Sequence, residues 1–435
     1  MIVEFSFGNF RSFKDIQTLH LQATKTKSKY PYIDENNSFP IGKYDLLKSK
    51  VIYGANASGK TSVLRALVTF LRIIQDSFKK EDIIEAMIEP FLLAEGQSDK
   101  PTFFQISFLY ENIPFRYGAQ FSNGKVLDEW LFGTPGQQEV YYFIREGMDV
   151  KINENKFKEA KRLTNIPKGE QPIYSETSLF LTVANASHRK LAKNLVSYFK
   201  DSFVLLSGLD DSGMMDRALS ELEDHAFKQK LNDLMAAADL GIKSVEKIDI
   251  NPEDLPEDVK KQLSELTEGK KLGFVVVAKE IFNEKGNKVS EINLNLHTDE
   301  SAGTKKMFAL SPFIFSALEE GKILFIDEFD ARLHPRLTRK IVELFNSKIT
   351  NPRNAQLIVV SHDTNLLDAK LLRRDQISLV DKDKYGASSI KSLVEFKGIR
   401  NNASFEKDYL DGKYGAVPFL NQMDSLFISE NLEHA

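Results

Sequence analysis

No cysteine occurs among the 435 residues, which excludes disulfide frameworks, thiol nucleophiles, cysteine-ligated zinc and iron–sulfur clusters together. An intracellular setting fits that composition. Long hydrophobic runs are missing as well: the most apolar stretch, Met307 to Leu318, falls short of the ~20 residues that a membrane-spanning helix needs. The opening Met1-Ile2-Val3-Glu4-Phe5 has neither the basic start nor the apolar core of a signal peptide. Nor does one charge dominate. With 58 basic and 62 acidic residues, net −4, no global field draws the chain onto nucleic acid, so any such contact has to be local. The expectation is a soluble, cytoplasmic protein without membrane contact. What is plentiful is apolar side chain, at 42%, in a length that suggests roughly three domain-sized units.

The most informative segment is Gly54-Ala55-Asn56-Ala57-Ser58-Gly59-Lys60-Thr61, which fits the G-x-x-x-x-G-K-[ST] phosphate-binding loop. Val51, Ile52 and Tyr53 precede it as a β-type run, and Ser62 to Phe78 follows with apolar residues at helical spacing. Gly54 and Gly59 permit backbone angles that a side chain forbids, so the N–H groups of Asn56, Ala57, Ser58 and their neighbours can face phosphate oxygens beside a positive helix N-terminus. Lys60 is expected to reach the β- and γ-phosphates of ATP, with Ser62 in the turn behind it. Thr61 offers a hydroxyl to Mg²⁺, which prefers hard oxygen ligands.

A phosphate loop needs an acid at the end of a partner strand. Ile323-Leu324-Phe325-Ile326-Asp327-Glu328 reads as a buried strand ending in two carboxylates. Asp327 is expected to hold Mg²⁺ through a water, and Glu328 to accept a proton from the attacking water or to orient it. Lys60 and Asp327 are 267 positions apart, so a large segment separates the halves of one nucleotide site.

That arrangement resembles ATPases of the ABC type, including the SMC and RecF branches. Glu300-Ser301-Ala302-Gly303-Thr304-Lys305-Lys306 is similar to their signature segment, Ser361-His362-Asp363 to the switch-histidine segment, and Asp330 to the aspartate loop that crosses a dimer interface. Asn9 to Phe13, NFRSF, resembles their first strand and turn, which places Arg11 among the nucleotide-contacting residues. The resemblance implies an α/β head in which Ser301 and the N–H groups around Gly303 cap the γ-phosphate held by a second copy, so that ATP joins head-to-tail dimers. The resemblance further implies that His362 donates to the γ-phosphate and senses its loss. The Mg²⁺-sensing glutamine of such ATPases has four candidates here, Gln105, Gln120, Gln137 and Gln138, and the sequence does not choose among them.

Pro101 to Val150 alternates apolar and polar residues, with Asn123-Gly124 as a turn signal, and reads as an antiparallel β-layer that takes Trp130 into its core. Residues 179–270 read as helical: Met214 to Leu240 carries one apolar face, and Gly241 ends it. The expected organisation is therefore a first ATPase lobe at 1–178, a helical insertion at 179–270 and a second lobe at 271–435. GFVVVAKEIF is a strand of that second lobe, and EINLNLH leads to the signature. Across 201–270 there are 17 acidic and 8 basic residues, a balance that repels DNA phosphates and suits protein docking. Basic residues gather at Arg332, Arg336, Arg339 and Lys340, at Arg373 and Arg374, and at Lys25, Lys27 and Lys29. Nucleic-acid binding there is open but not favoured.

The segment Lys397 to Pro418, containing YLDGKYGAVP, resembles the closing part of bacterial AAA-family ATPases of the RloA, AbiL and PARIS AriA type. That resemblance implies a phage-defence ATPase acting as sensor or scaffold for a separate effector, a nuclease or a toxin. Two alternatives stand beside it: a RecF/SMC-like DNA-repair ATPase, and a self-contained nuclease of the overcoming-lysogenisation type. The latter needs a further catalytic domain. Only 73 residues follow His362, from which none is expected, and Asp381-Lys382-Asp383 reads as a solvated turn.

Overall fold

The computed structural model describes residues 1–417 apart from 166, 168–169, 239–240, 250–272 and 400–402. The helix Lys60–Asp76 is the organising element. Val63, Leu67, Phe70 and Ile74 recur at helical spacing and are buried, because a sheet lies on each side.

On one side is a seven-stranded antiparallel sheet. Its order is Asp149–Ile152, Val140–Glu146, Lys125–Gly133, Ile113–Ser122, Thr102–Tyr110, Ile2–Gly8 and Gln17–His20. The alternation expected over 101–150 is present, and Asn123 and Gly124 both take positive φ, +50° and +72°, as a two-residue hairpin of the first primed type requires. Phe70 stacks on Tyr117 of this sheet at 5.6 Å between ring centroids. Truncating Phe70 to alanine would cost about 3–5 kcal/mol. Trp130 departs from expectation: it is half-buried, lying over Gly118, where a Cβ would come within 2.4 Å of the indole.

On the other side is a six-stranded sheet in the order Phe203–Ser207, Ile323–Asp327, Gln356–Val360, Ser49–Tyr53, Ile377–Lys382 and Ser388–Ser392. The first five strands are parallel and the last closes an antiparallel hairpin. Period-two geometry divides its side chains. Ile52, Phe325 and Ile358 join the core around Lys60–Asp76, whereas Val51, Leu324 and Leu357 join a second core on the opposite face.

The described part of 179–270 is not helical throughout. Phe180–Ala186 and Lys190–Asp201 are helices, but they pack on Lys60–Asp76 and belong to the first core. Phe203–Ser207 is the edge strand beside Ile323–Asp327. The single helix expected from Met214 is two, Ser212–Glu221 and His225–Ala237, because Asp224 caps the second by accepting from Ala226 N at 2.8 Å. These two pack on the long helix Ala302–Glu320. Ser244–Asp249, Gly273–Phe282 and Lys288–Asn295 form an antiparallel sheet beside them. Leu240 and the acidic stretch 250–270 lie outside the described residues.

Candidate nucleotide site

The phosphate loop leaves the carboxyl end of Ser49–Tyr53, in the middle of the parallel sheet, and turns into the helix at Lys60. Gly59 adopts φ +111° and Ala57 φ +60°, values that turn successive amides toward one concave side. Space is equally restrictive. A Cβ on Gly54 would meet Val380 O at 2.3 Å, and one on Gly59 would meet Ser12 Oγ at 2.6 Å. Lys60 Nζ donates to Gly54 O at 2.9 Å and Ala55 O at 3.0 Å. Burial pulls the Lys60 ammonium below the ordinary lysine range, against the opposing charges of Glu328, Asp327 and Asp330.

The acidic turn faces this loop. Asp327 is buried at the end of its strand and its Oδ1 accepts from Glu328 N at 3.2 Å. Glu328 itself is held at φ +49°, an uncommon conformation for a residue with a side chain. Gly208 explains how the turn is kept there: Gly208 N donates to Asp327 O at 2.6 Å, and a Cβ on Gly208 would lie 1.9 Å from Glu328 O. His362 Nε2 stands 3.9 Å from Glu328 Oε2. Asp330 Oδ1 accepts from both Ser361 Oγ, at 2.7 Å, and His362 N, at 2.9 Å, so the aspartate loop and the histidine segment form one hydrogen-bonded piece. Behind them, Tyr53 OH donates to Asp363 O at 3.0 Å and Thr364 Oγ1 to Glu406 Oε1 at 2.7 Å. The described part of the closing segment thus buttresses the histidine turn. Its Pro418 lies outside the described residues.

Arg11, Asn56, Ala57, Ser58, Gly59, Lys60, Thr61, Ser62, Glu328 and His362 line one cleft of about 720 Å³. Ser301 and Gly303 do not. Ser301 caps the helix Ala302–Glu320, its Oγ accepting from Thr304 N at 3.2 Å, and is exposed. Gly303 sits against the aspartate loop, where a Cβ would be 3.0 Å from Arg332 O. Lys306, on the same helix and fully buried, donates to Gly208 O at 2.8 Å and Asp211 Oδ1 at 2.5 Å, and Arg332 pairs with the other oxygen of Asp211.

Sequence reading missed several cleft residues: Ser12, Glu89, Leu92, Leu93 and Lys382. Glu89 pairs with Arg11 at 3.5 Å. Asn9 positions this corner, accepting from Phe91 N at 3.1 Å and donating to Lys100 O at 2.7 Å. None of the four candidate glutamines lines the cleft; Gln105 accepts from Arg116 and Trp130 on the β-layer instead. The donors present suit a nucleotide phosphate chain with its metal. Ser12 Oγ and Ser58 Oγ are buried without a hydrogen-bond partner among the described residues, and both border the cleft beside the Lys60 ammonium. Asp381 and Asp383 shape a hairpin turn, in which Asp381 Oδ1 accepts from Lys382 N and Asp383 Oδ1 from Tyr385 N and Ala387 N. Among the described residues no three His, Asp or Glu side chains are grouped to hold a metal ion.

No curated protein matches the chain. Solved structures similar to it include the SMC head domain from Thermotoga maritima, at 13% identity over 90% of this chain and 98% of that one, with a TM-score of 0.40. The Smc head domain of Pyrococcus yayanosii, with a coiled coil and joint, gives 11% identity, coverage of 95% and 99% and a TM-score of 0.41. A family model described as "AAA domain, putative AbiEii toxin, Type IV TA system" matches residues 51–368, a span that holds the phosphate loop, the signature helix, the acidic turn and His362. By that match the chain belongs to this family of AAA-domain proteins.

Proposed function

We propose that the chain binds ATP with Mg²⁺ and hydrolyses it within head-to-tail pairs, and that it works as the sensor or scaffold subunit of a phage-defence system, controlling a separate effector. One observation carries the ATPase reading. The phosphate loop, Glu328 and His362 share a cleft, while Ser301 and Gly303 stand outside it at the exposed start of a 19-residue helix. Such a helix start presents N–H groups to an anion brought by another molecule. Thr61 and Asp327 would hold the metal, which neutralises charge on the phosphates. Lys60 binds the same oxygens, Glu328 takes the proton of the attacking water, and His362 donates toward the terminal phosphate.

The defence role rests on the family description and on the resemblance of the closing segment. Two variants test the ATPase. Lys60→Ala should weaken ATP binding about 10-fold or more, the worth of a charge-assisted hydrogen bond. Glu328→Gln should keep ATP binding while turnover falls roughly 10²- to 10⁴-fold, with nucleotide-bound dimers accumulating in sedimentation runs. Unchanged affinity in the first variant would reassign the loop. For the wider role, plaque counts are compared in cells carrying the chain and its chromosomal neighbours, with and without Lys60→Ala; equal counts would remove the defence reading and leave the ATPase.

A further inference from the structure

A second cleft, of about 450 Å³, lies at the amino end of the parallel strands, away from the phosphate loop. Lys48, one residue before the strand Ser49–Tyr53, forms part of its wall, and Lys348 reaches it from the segment that precedes Gln356–Val360. At ~3.3 Å of rise per residue, one strand of this length separates the two clefts by roughly 17 Å. Lys48 is 1% exposed, and its Nζ has no hydrogen-bond partner among the described residues. Lys50, buried two residues further on, shows the ordinary solution, donating to Asp375 O at 2.6 Å. A buried ammonium with no acceptor is unfavourable.

The acids bordering the cleft, Asp34, Glu35 and Asp45, do not supply that acceptor. Asp34 is engaged by Ser28 and Arg373, while Glu35 and Asp45 are exposed. Burial, with the Lys348 ammonium, lowers Lys48 to about 8, so near neutral pH Lys48 still carries positive charge beside the cleft.

We propose that this cleft binds a small molecule through a phosphate group whose oxygens supply the acceptor Lys48 lacks. A phosphate is compact, carries up to two negative charges and accepts from ammonium donors on different walls. The carboxylates that share the cleft oppose an extended polyanion, which selects a phosphate-bearing metabolite over nucleic acid.

Inorganic phosphate is the probe, titrated at constant ionic strength while thermal unfolding is followed. Because the phosphate loop also takes this anion, the titration is made in a Lys60→Ala background. The expected result is a saturable rise in Tm whose midpoint moves about tenfold or more to higher phosphate when Lys48→Met or Lys348→Met is added. Lys348 is exposed, so its replacement decides the matter if the Lys48 variant folds poorly. No saturable rise, or an unmoved midpoint in the Lys348 variant, overturns the proposal. So does displacement of phosphate by a short DNA duplex, which would assign the cleft to a polymer.

Discussion

At the residue scale the acidic turn depends on a glycine that has no motif around it. Gly208→Ala would put a methyl group 1.9 Å from Glu328 O, and backbone cannot move aside as a flexible side chain does. The turn must shift, at a cost of about 1–3 kcal/mol, and the Glu328 carboxylate shifts with it. The expected outcome is a fall in kcat larger than the small drop in Tm accounts for, with ATP affinity nearly kept; parallel turnover and melting measurements check it. The residues of the phosphate loop and the acidic turn were legible because each set is contiguous and its chemistry tolerates few side chains. Gly208 was not, since a lone glycine after an apolar run looks like any loop. Ser12, Glu89 and Lys382 were hidden for a related reason: they come from three separate segments that meet only when both sheets close on the helix between them.

Between elements, buried charge does the joining. Glu129 of the β-layer accepts from Phe180 N at 2.6 Å, Leu181 N at 3.0 Å and Tyr117 OH at 2.9 Å, and stands 3.8 Å from Arg145, both side chains being fully buried. It thereby anchors the start of Phe180–Ala186. Arg145→Met should strand that carboxylate and lower stability by about 3–5 kcal/mol; adding Glu129→Gln should recover part of the loss, read by denaturant midpoints. A pH effect belongs to the central strand. Burial lowers Lys50 to about 8, with Asp375 and Glu395 opposing. A folded-state value below the unfolded one means that the unfolded chain binds the extra proton between about pH 8 and 10.5, so the penalty is full below pH 8 and fades as pH rises. Relative to Lys50→Met, wild type should therefore gain stability between pH 7 and 10, by on the order of 3 kcal/mol. Melting both proteins across that range is the check. Strand and helix periods made most elements readable, including Gly273–Phe282. Phe203–Ser207 escaped because four apolar residues directly after a helix carry no period of their own, and only the parallel pairing with Ile323–Asp327 makes them a strand.

For the whole molecule, the exposed signature helix start predicts complementation between copies. Ser301→Arg should leave ATP binding by a single head nearly intact while blocking closure, as the added side chain would fall in the seam of the proposed head-to-tail pair. Mixed with Lys60→Ala, it can place both defects in one composite site and leave the other whole, so part of the activity should return. Loss of ATP binding by Ser301→Arg monomers would contradict the arrangement in trans.

Both roots of the segment between the strand Phe203–Ser207 and the helix Ala302–Glu320 end at the acidic turn. Gly208 is bonded to Asp327, Lys306 grips Gly208 and Asp211, and Asp211 holds Arg332. The described ends of that segment are thus moored at the turn that carries Glu328. Under the proposed ATPase reading, a molecule that grips the segment would bear on that turn, and the rate of ATP turnover would become a gauge of the load.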